Sequence, residues 1–97
     1  MNIQLLSLAV DDLAKGRDFY DRIEPGLGNY FLDSLYSDIE SLQIHAGVHI
    51  QVQGYFRALS HRFPFAIYYK LEGELISVWR ELDCRQNPAR TKQNLSQ

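Results

Sequence analysis

Hydrophobic and polar positions divide the start of the chain into a short apolar run and an amphipathic segment. Residues 3–10 are mostly apolar and have the length of a strand. Asp11 and Asp12 follow, and carboxylates in this position cap the free N–H groups at a helix start. The next apolar positions recur at spacings of three and four, which predicts a helix whose buried face holds Leu13, Gly16, Tyr20 and Ile23.

A turn at Pro25-Gly26 ends this helix, because proline cannot continue the hydrogen-bond ladder and glycine tolerates the turn. A second stripe predicts a helix from about residue 28 to about residue 44, with its buried face formed by Leu32, Leu35, Ile39 and Leu42. Helices joined by so short a turn form an antiparallel hairpin.

In the second half of the chain the period changes from that of helices to that of strands. Residues 55–62 alternate, and residues 65–71 are rich in aromatic and β-branched side chains, so each segment predicts a strand, with Pro64 at the break. Residues 75–83 form the next strand, which alternation predicts to carry on one face Ile76, Val78, Arg80 and Leu82. The tail after Pro88 is polar and is predicted to be loose.

Together these elements predict an α+β fold in the order β-α-α-β-β-β. The first strand and the following strand meander form a small, mainly antiparallel sheet, with the helical hairpin packed on one face and the other face open. We expect a single domain over residues 1–90 and a polar C-terminal tail over residues 91–97.

Charge is distributed unevenly, although the 97 residues carry a formal net charge of only −2. Residues 1–49 hold three basic and eight acidic side chains, and residues 50–97 hold seven basic and four acidic ones. This asymmetry indicates either two faces with different partners or two ordinary solvated surfaces. The apolar fraction excludes a disordered chain, and no apolar run reaches the ~20 residues that span a bilayer, so we expect a cytoplasmic protein without a membrane partner.

The usual signatures of metal, nucleotide and nucleophile chemistry are incomplete. His45 and His49 have the spacing of helical zinc ligands, but Gly47 lies between them and no third ligand follows. Cys84 is the only cysteine, which excludes a disulfide framework, and a lone thiol beside Arg85 is more typical of a packing residue than of a nucleophile. We therefore expect no metal and no cofactor.

The strongest candidate site is a basic cluster over three neighbouring predicted strands, formed by Arg57, His61, Arg62, Arg80 and Arg85. Such a cluster binds phosphate and stabilises charge in phosphodiester cleavage, with His61 exchanging protons, or it docks an acidic segment of a partner. An ordinary solvated sheet face is the third interpretation. Alternation predicts Arg57 and His61 on the same face of their strand and Arg62 on the other.

Three stretches of the chain resemble the RelE/ParE superfamily of toxins from toxin–antitoxin systems, also described as plasmid-stabilisation proteins. They are residues 12–20, residues 62–69 (RFPFAIYY) and residues 84–88 (CRQNP), and the middle stretch is the most specific. The segment PGLG followed by Phe31 is similar to a variant common in the ParE-like branch. The resemblance covers roughly residues 9–90 and implies the fold predicted above.

The resemblance also implies a function. The RNA-cleaving RelE branch has basic residues where this chain has Leu59 and Ala66, and it has a late Tyr or His, whereas none follows Tyr69. The ParE-like branch is therefore favoured, which implies a toxin that inhibits DNA gyrase, is neutralised by a cognate antitoxin and does not bind DNA directly without it. This branch needs no catalytic residue, and we expect target or partner contacts from Arg57, Arg62, Arg80, Arg85 and Arg90.

Two alternatives remain open. The first is a RelE-like mRNA endoribonuclease, with the ribosome and mRNA as partners and Arg57, His61 and Arg85 as its catalytic residues. The second is a degenerate, non-toxic binding module of the same fold. Whether the protein is an enzyme depends on which of these interpretations holds.

Overall fold

The computed structural model describes residues 1–96 as an α+β fold in which a five-stranded sheet lies between helices. The predicted helical hairpin and strand meander are both present, which confirms the fold class. The strands and helices are, in chain order, β1 (Asn2–Leu5), α1 (Ser7–Ile23), α2 (Leu27–Glu40), α3 (Leu42–His45), β2 (Gln51–Val52), β3 (Tyr55–Leu59), β4 (Phe65–Glu72), β5 (Leu75–Asp83) and α4 (Pro88–Leu95).

The sheet has the order β1-β5-β4-β3-β2. β1 is parallel to β5, and every other neighbouring pair is antiparallel. The register between β4 and β5 shifts at Tyr68/Tyr69, so Tyr68 pairs with Arg80 whereas Tyr69 pairs with Val78. Trp79 is the extra residue of this bulge. The bulge puts Leu82 on the opposite face from Val78, so the predicted uniform alternation along residues 75–83 is wrong.

The main core lies between the sheet and the α1–α2 hairpin. Its centre is an aromatic cluster in which Tyr20 and Phe31 stack at 5.1 Å between ring centroids. Gly16 lies in close contact with α2, because a Cβ at this position would lie 2.5 Å from the Phe31 ring. The hairpin turn is fixed by Asp21, whose Oδ1 accepts from the backbone N–H of Gly26 and of Gly28.

The N-terminal boundary differs from the prediction. β1 ends at Leu5, where the Leu6 N–H donates to the Val78 carbonyl at 3.0 Å, and α1 already begins at Ser7. Asp12 is therefore inside the helix and buried, and it does not cap the helix start. The apolar run misled the prediction because residues 8 to 10 belong to the first turns of an amphipathic helix and not to a strand.

The C-terminal part also differs, because the segment predicted to be loose forms helix α4 on the sheet face opposite the hairpin. Asn87 caps α4 by accepting from the Ala89 N–H, and Pro88 occupies the first turn. Leu95 is buried against the sheet, and its carbonyl accepts from the Tyr55 hydroxyl. The helix crosses the predicted domain boundary at residue 90, and Gln97 of the predicted tail lies outside the described residues.

Over residues 1–96, no helix combines the length and the apolar character that a membrane crossing requires.

Candidate functional site

A groove of about 510 Å³ lies between α2–α3 and the strands β2–β3, and all three histidines of the chain line it. We call it the histidine groove, defined by Asp38, His45, His49, Leu59 and His61. Strongly exposed apolar side chains line it, with exposed fractions of 75% for Val48, 67% for Ile50 and 58% for Leu59. A contiguous apolar surface of this kind marks an interaction site.

One rim of the histidine groove is built around the buried carboxylate of Asp38 on α2. It accepts from the Ser60 hydroxyl at 2.7 Å and from the backbone N–H of His61 at 3.3 Å. It also accepts from Nδ1 of His61 at 2.6 Å, so Nδ1 carries a proton because a carboxylate only accepts. These hydrogen bonds fix the orientation of the imidazole. The His61 side chain is 80% exposed, so its Nε2 stays accessible.

The other rim is held by the hydroxyl of Tyr69. It accepts from the Gly47 N–H at 2.9 Å and in turn donates to Nδ1 of His49. Burial lowers the pKa of His49, and the nearby His45 lowers it further. A neutral His49 is the form that accepts from the hydroxyl, so the bond and the lowered pKa agree.

Within residues 1–96, no group of three His, Cys, Asp or Glu side chains has the arrangement of a metal site. His45 and His49 both line the histidine groove, and Asp38 and Tyr69 engage the Nδ1 atoms of His61 and His49. The apolar side chains of the lining give the groove the character of a docking surface.

A second groove, of about 470 Å³, lies between α4 and the open face of the sheet. We call it the α4 groove. Arg57 points into it, donating from Nε to the Tyr68 hydroxyl at 3.2 Å and from Nη2 to the Cys84 sulfur at 3.6 Å. α4 thus covers part of the face that the sequence predicted to be open.

Arg57 and His61 both line the histidine groove, but Arg85 does not. β3 ends at Leu59, and the chain then turns so that His61 contacts α2, on the opposite side of the sheet from the hydrogen bonds of Arg57. Arg85 pairs with Asp83 through Nε at 3.0 Å and Nη2 at 2.8 Å. The alternation of β3 does not reach His61, because the strand ends at Leu59, although Arg57 and His61 do line one groove.

Arg80 lies inside the protein and not on its surface. Its Nε and Nη2 donate to the two carboxylate oxygens of Asp12 at 2.7 and 2.9 Å, and its Nη1 donates to the Asn94 carbonyl. Asp12 also accepts from the Glu81 N–H, on the stretch of β5 that extends beyond β1. Arg80 thus ties α1, β5 and α4 together, and this burial does not agree with the predicted partner-binding role.

Glu81, next to this ion pair, is a residue that the sequence analysis did not single out. Its side chain is 1% exposed, and neither carboxylate oxygen has a hydrogen-bond partner within residues 1–96. Burial raises its pKa to about 9, with a further contribution from the negative charge of Asp12. Glu81 is therefore protonated at neutral pH.

Above Glu81, a third groove of about 440 Å³ separates α1 from the end of β5. We call it the α1–β5 groove; its rim carries Lys15, Phe19, Arg22 and Arg90. It lies near the β5 side of the sheet, whereas the histidine groove lies near the β2 edge. Arg62 is exposed in the loop between β3 and β4. Of the predicted contact residues, Arg90 alone lines the α1–β5 groove.

Comparison with known proteins identifies the fold. No protein-family model and no curated protein matches the sequence. A chain in the solved structure of the chromosomal ParDE toxin–antitoxin (TA) system from P. aeruginosa is similar in structure, with a TM-score of 0.75 and 21% sequence identity. The match covers 84% of this chain and 92% of that one.

The protein therefore has the ParE-like toxin fold that its sequence motifs predict. The likeness at 21% identity concerns the arrangement of helices and strands.

Proposed function

We propose that this protein is the toxin of a type II toxin–antitoxin system, of ParE-like type, and that a cognate antitoxin neutralises it in the cytoplasm. The observation that carries the proposal is the ParE-like fold combined with a large, exposed apolar groove. A monomeric protein rarely leaves such a surface uncovered, so the groove fits a protein partner. A system of this type would serve stabilisation of the DNA that encodes it.

The antitoxin site in this proposal is the histidine groove. An antitoxin segment that folds on binding gains affinity by burying apolar area, and Val48, Ile50 and Leu59 offer that area in one groove. β2 adds a second means of binding, since it ends the strand order of the sheet beside β3. An extended peptide can therefore extend the sheet beside the groove.

For the target we propose DNA gyrase, inhibited by binding and not by a chemical step. The position of Arg85 supports this, because it pairs with Asp83 and does not line the groove that Arg57 and His61 share, whereas a phosphodiester-cleaving site needs all its cations around one phosphate. Among the predicted contacts, Arg57, Arg62, Arg85 and Arg90 stay proposals for target or partner binding. No direct DNA binding is proposed for the toxin without its antitoxin.

One observation favours an mRNA endoribonuclease as the second candidate. Asp38 orients the exposed imidazole of His61, which is the arrangement of a histidine that exchanges protons with a substrate. If this candidate is right, His61→Asn abolishes activity while the fold is retained. Under gyrase inhibition the same substitution leaves toxicity unchanged.

The test is tightly controlled expression in bacteria without antitoxin, with growth and an SOS-response reporter measured together. Gyrase inhibition predicts growth arrest, filamentous cells and a strong rise of the reporter. Growth arrest with a flat reporter refutes the gyrase target and favours RNA cleavage. Normal growth with a flat reporter indicates a degenerate binding module.

Neutralisation is tested with matched substitutions, using the product of the adjacent reading frame as antitoxin. Val48→Asp places a charge in the histidine groove, and toxicity should then persist when the antitoxin is co-expressed. Ile23→Asp is the control, because Ile23 is also strongly exposed but lies on α1, outside the groove. Equal neutralisation of the two variants contradicts the proposed antitoxin site.

A further inference from the structure

The α1–β5 groove carries a net positive charge that the composition of the chain conceals. Three acidic residues line it, but each is neutralised inside the protein. Asp12 is paired with Arg80, and Asp83 is paired with Arg85. The third, Glu81, is protonated because burial raises its pKa to about 9.

The basic residues on the rim have no such compensation. Lys15, Arg22 and Arg90 are exposed, and none of them forms an ion pair with a carboxylate of residues 1–96. Asp18 and Asp21 line a small pocket with Arg22, but Asp18 pairs with Arg17 and Asp21 accepts from the hairpin turn, so neither forms an ion pair with Arg22 within residues 1–96. Three cations that form no ion pair within residues 1–96 thus line one groove in a chain of net charge −2.

An aromatic ring completes this surface. Phe19 lies on the same rim and is 46% exposed, although it is held edge-on against the ring of Tyr20 at 5.1 Å. A rigid, half-exposed aromatic side chain among cations is typical of protein interfaces, where aromatic residues are enriched and contribute much of the binding energy.

We propose that the α1–β5 groove receives an acidic polypeptide segment of the toxin's target, with Lys15, Arg22 and Arg90 pairing its carboxylates and Phe19 packing against an apolar side chain within it. This inference rests on the proposed toxin function and gives it a contact surface. It also separates the two partners, because the antitoxin site lies at the β2 edge of the sheet and this groove lies beside β5.

Charge around the groove favours a protein segment over a nucleic acid. A nucleic acid presents phosphates continuously and needs a basic track along its path. Here Asp18 and Asp21 line a small pocket with Arg22 on α1, so a nucleic acid strand that leaves the groove past Arg22 meets carboxylates. A short acidic segment avoids them.

The test compares two double variants that change the net charge equally. Lys15→Glu with Arg90→Glu reverses two cations of the groove, and Arg17→Glu with Lys92→Glu reverses two exposed cations that do not line it. All four side chains are exposed, so circular dichroism and thermal unfolding should show both variants folded. Growth arrest is measured for both, and inhibition of supercoiling by purified DNA gyrase is measured at two ionic strengths.

We expect wild type and the Arg17/Lys92 variant to arrest growth and the Lys15/Arg90 variant not to. For gyrase, the concentration of the Lys15/Arg90 variant that gives half-inhibition should rise about tenfold or more, and the difference should shrink as salt increases. Growth arrest by the Lys15/Arg90 variant equal to wild type overturns this inference and leaves the toxin function standing.

The other outcomes are equally decisive. Wild type that arrests growth without inhibiting gyrase refutes the gyrase target, while the comparison of growth still decides the groove. Wild type that does not arrest growth overturns both proposals. Fluorescence anisotropy with a labelled single-stranded oligonucleotide tests a nucleic acid as the competing partner. If wild type binds the oligonucleotide tightly and the Lys15/Arg90 variant does not, the proposal of a protein segment is overturned in favour of a nucleic acid.

Discussion

Replacing Glu81 by Gln should stabilise the protein, and the gain should grow with pH. The pKa of Glu81 rises from 4.5 to about 9 on folding, so between these values the folded state binds a proton that the unfolded state releases. The contribution of this proton to stability is therefore fully present below pH 4.5 and is lost as pH rises through about 9. Between these values the free energy of unfolding falls by about 1.4 kcal/mol per pH unit, which lowers it by about 3 kcal/mol at pH 7.

Glutamine has nearly the shape of the protonated carboxyl and does not titrate, so Glu81→Gln removes this penalty while leaving Asp12 and Arg80 in place. Urea unfolding followed by circular dichroism at pH 5 to 8 measures the free energy of unfolding of both proteins. We expect similar values near pH 5 and a difference that widens by about 1 kcal/mol or more per pH unit. Parallel pH profiles for the two proteins would refute the assignment of a protonated, buried Glu81.

Three further substitutions test the packing around the grooves. Gly16→Ala should destabilise by about 1–3 kcal/mol in thermal unfolding, in spite of alanine's helix propensity, because its Cβ meets the Phe31 ring; an unchanged or raised Tm would contradict the close contact. Arg80→Met alone should lower the free energy of unfolding by about 3–5 kcal/mol, because it leaves Asp12 buried and unpaired, whereas Arg80→Met with Asp12→Leu should recover much of this loss. Additive losses in this double-mutant cycle would show that the two side chains act independently. Leu95→Ala should lower stability by about 2–3 kcal/mol and increase protease cleavage within α4, and protection equal to wild type would mean that the helix does not depend on this anchor.

Local sequence patterns were sufficient for the hairpin and the meander. The stripes of α1 and α2 and the aromatic strand β4 bury against each other, so periodicity and burial agree there. Periodicity could not reveal the bulge at Tyr68/Tyr69, because an extra residue changes the face of everything after it without changing composition. The helix α4 did have a signal, since Asn87 followed by Pro88 is a favourable start, but its polar sequence hid the single anchor Leu95.

The site was harder to predict than the fold, because it depends on pairings between residues far apart in the chain. Asp12 and Arg80 are 68 positions apart, and a sequence gives no sign that one neutralises the other. Asp12 also resembled a helix cap, which is what a carboxylate before an apolar stripe most often is. His61 was identified as a candidate, but its partner Asp38 on α2 was not, since the two meet only when the hairpin packs on β3.

Ion pairing within the protein decides which cations a partner can reach. Arg80 and Arg85 belong to the basic half of the chain, yet carboxylates of the same molecule occupy both guanidinium groups. Lys15 belongs to the acidic half, yet it lies beside Arg90 on the rim of one groove. Counting charges along the chain therefore predicts a basic sheet face, whereas pairing leaves a basic groove between α1 and β5. A partner attracted by charge would bind where cations have no ion-pair partner inside the protein. The charge reversal at Lys15 and Arg90 therefore tests the target surface more directly than a substitution of Arg80 or Arg85.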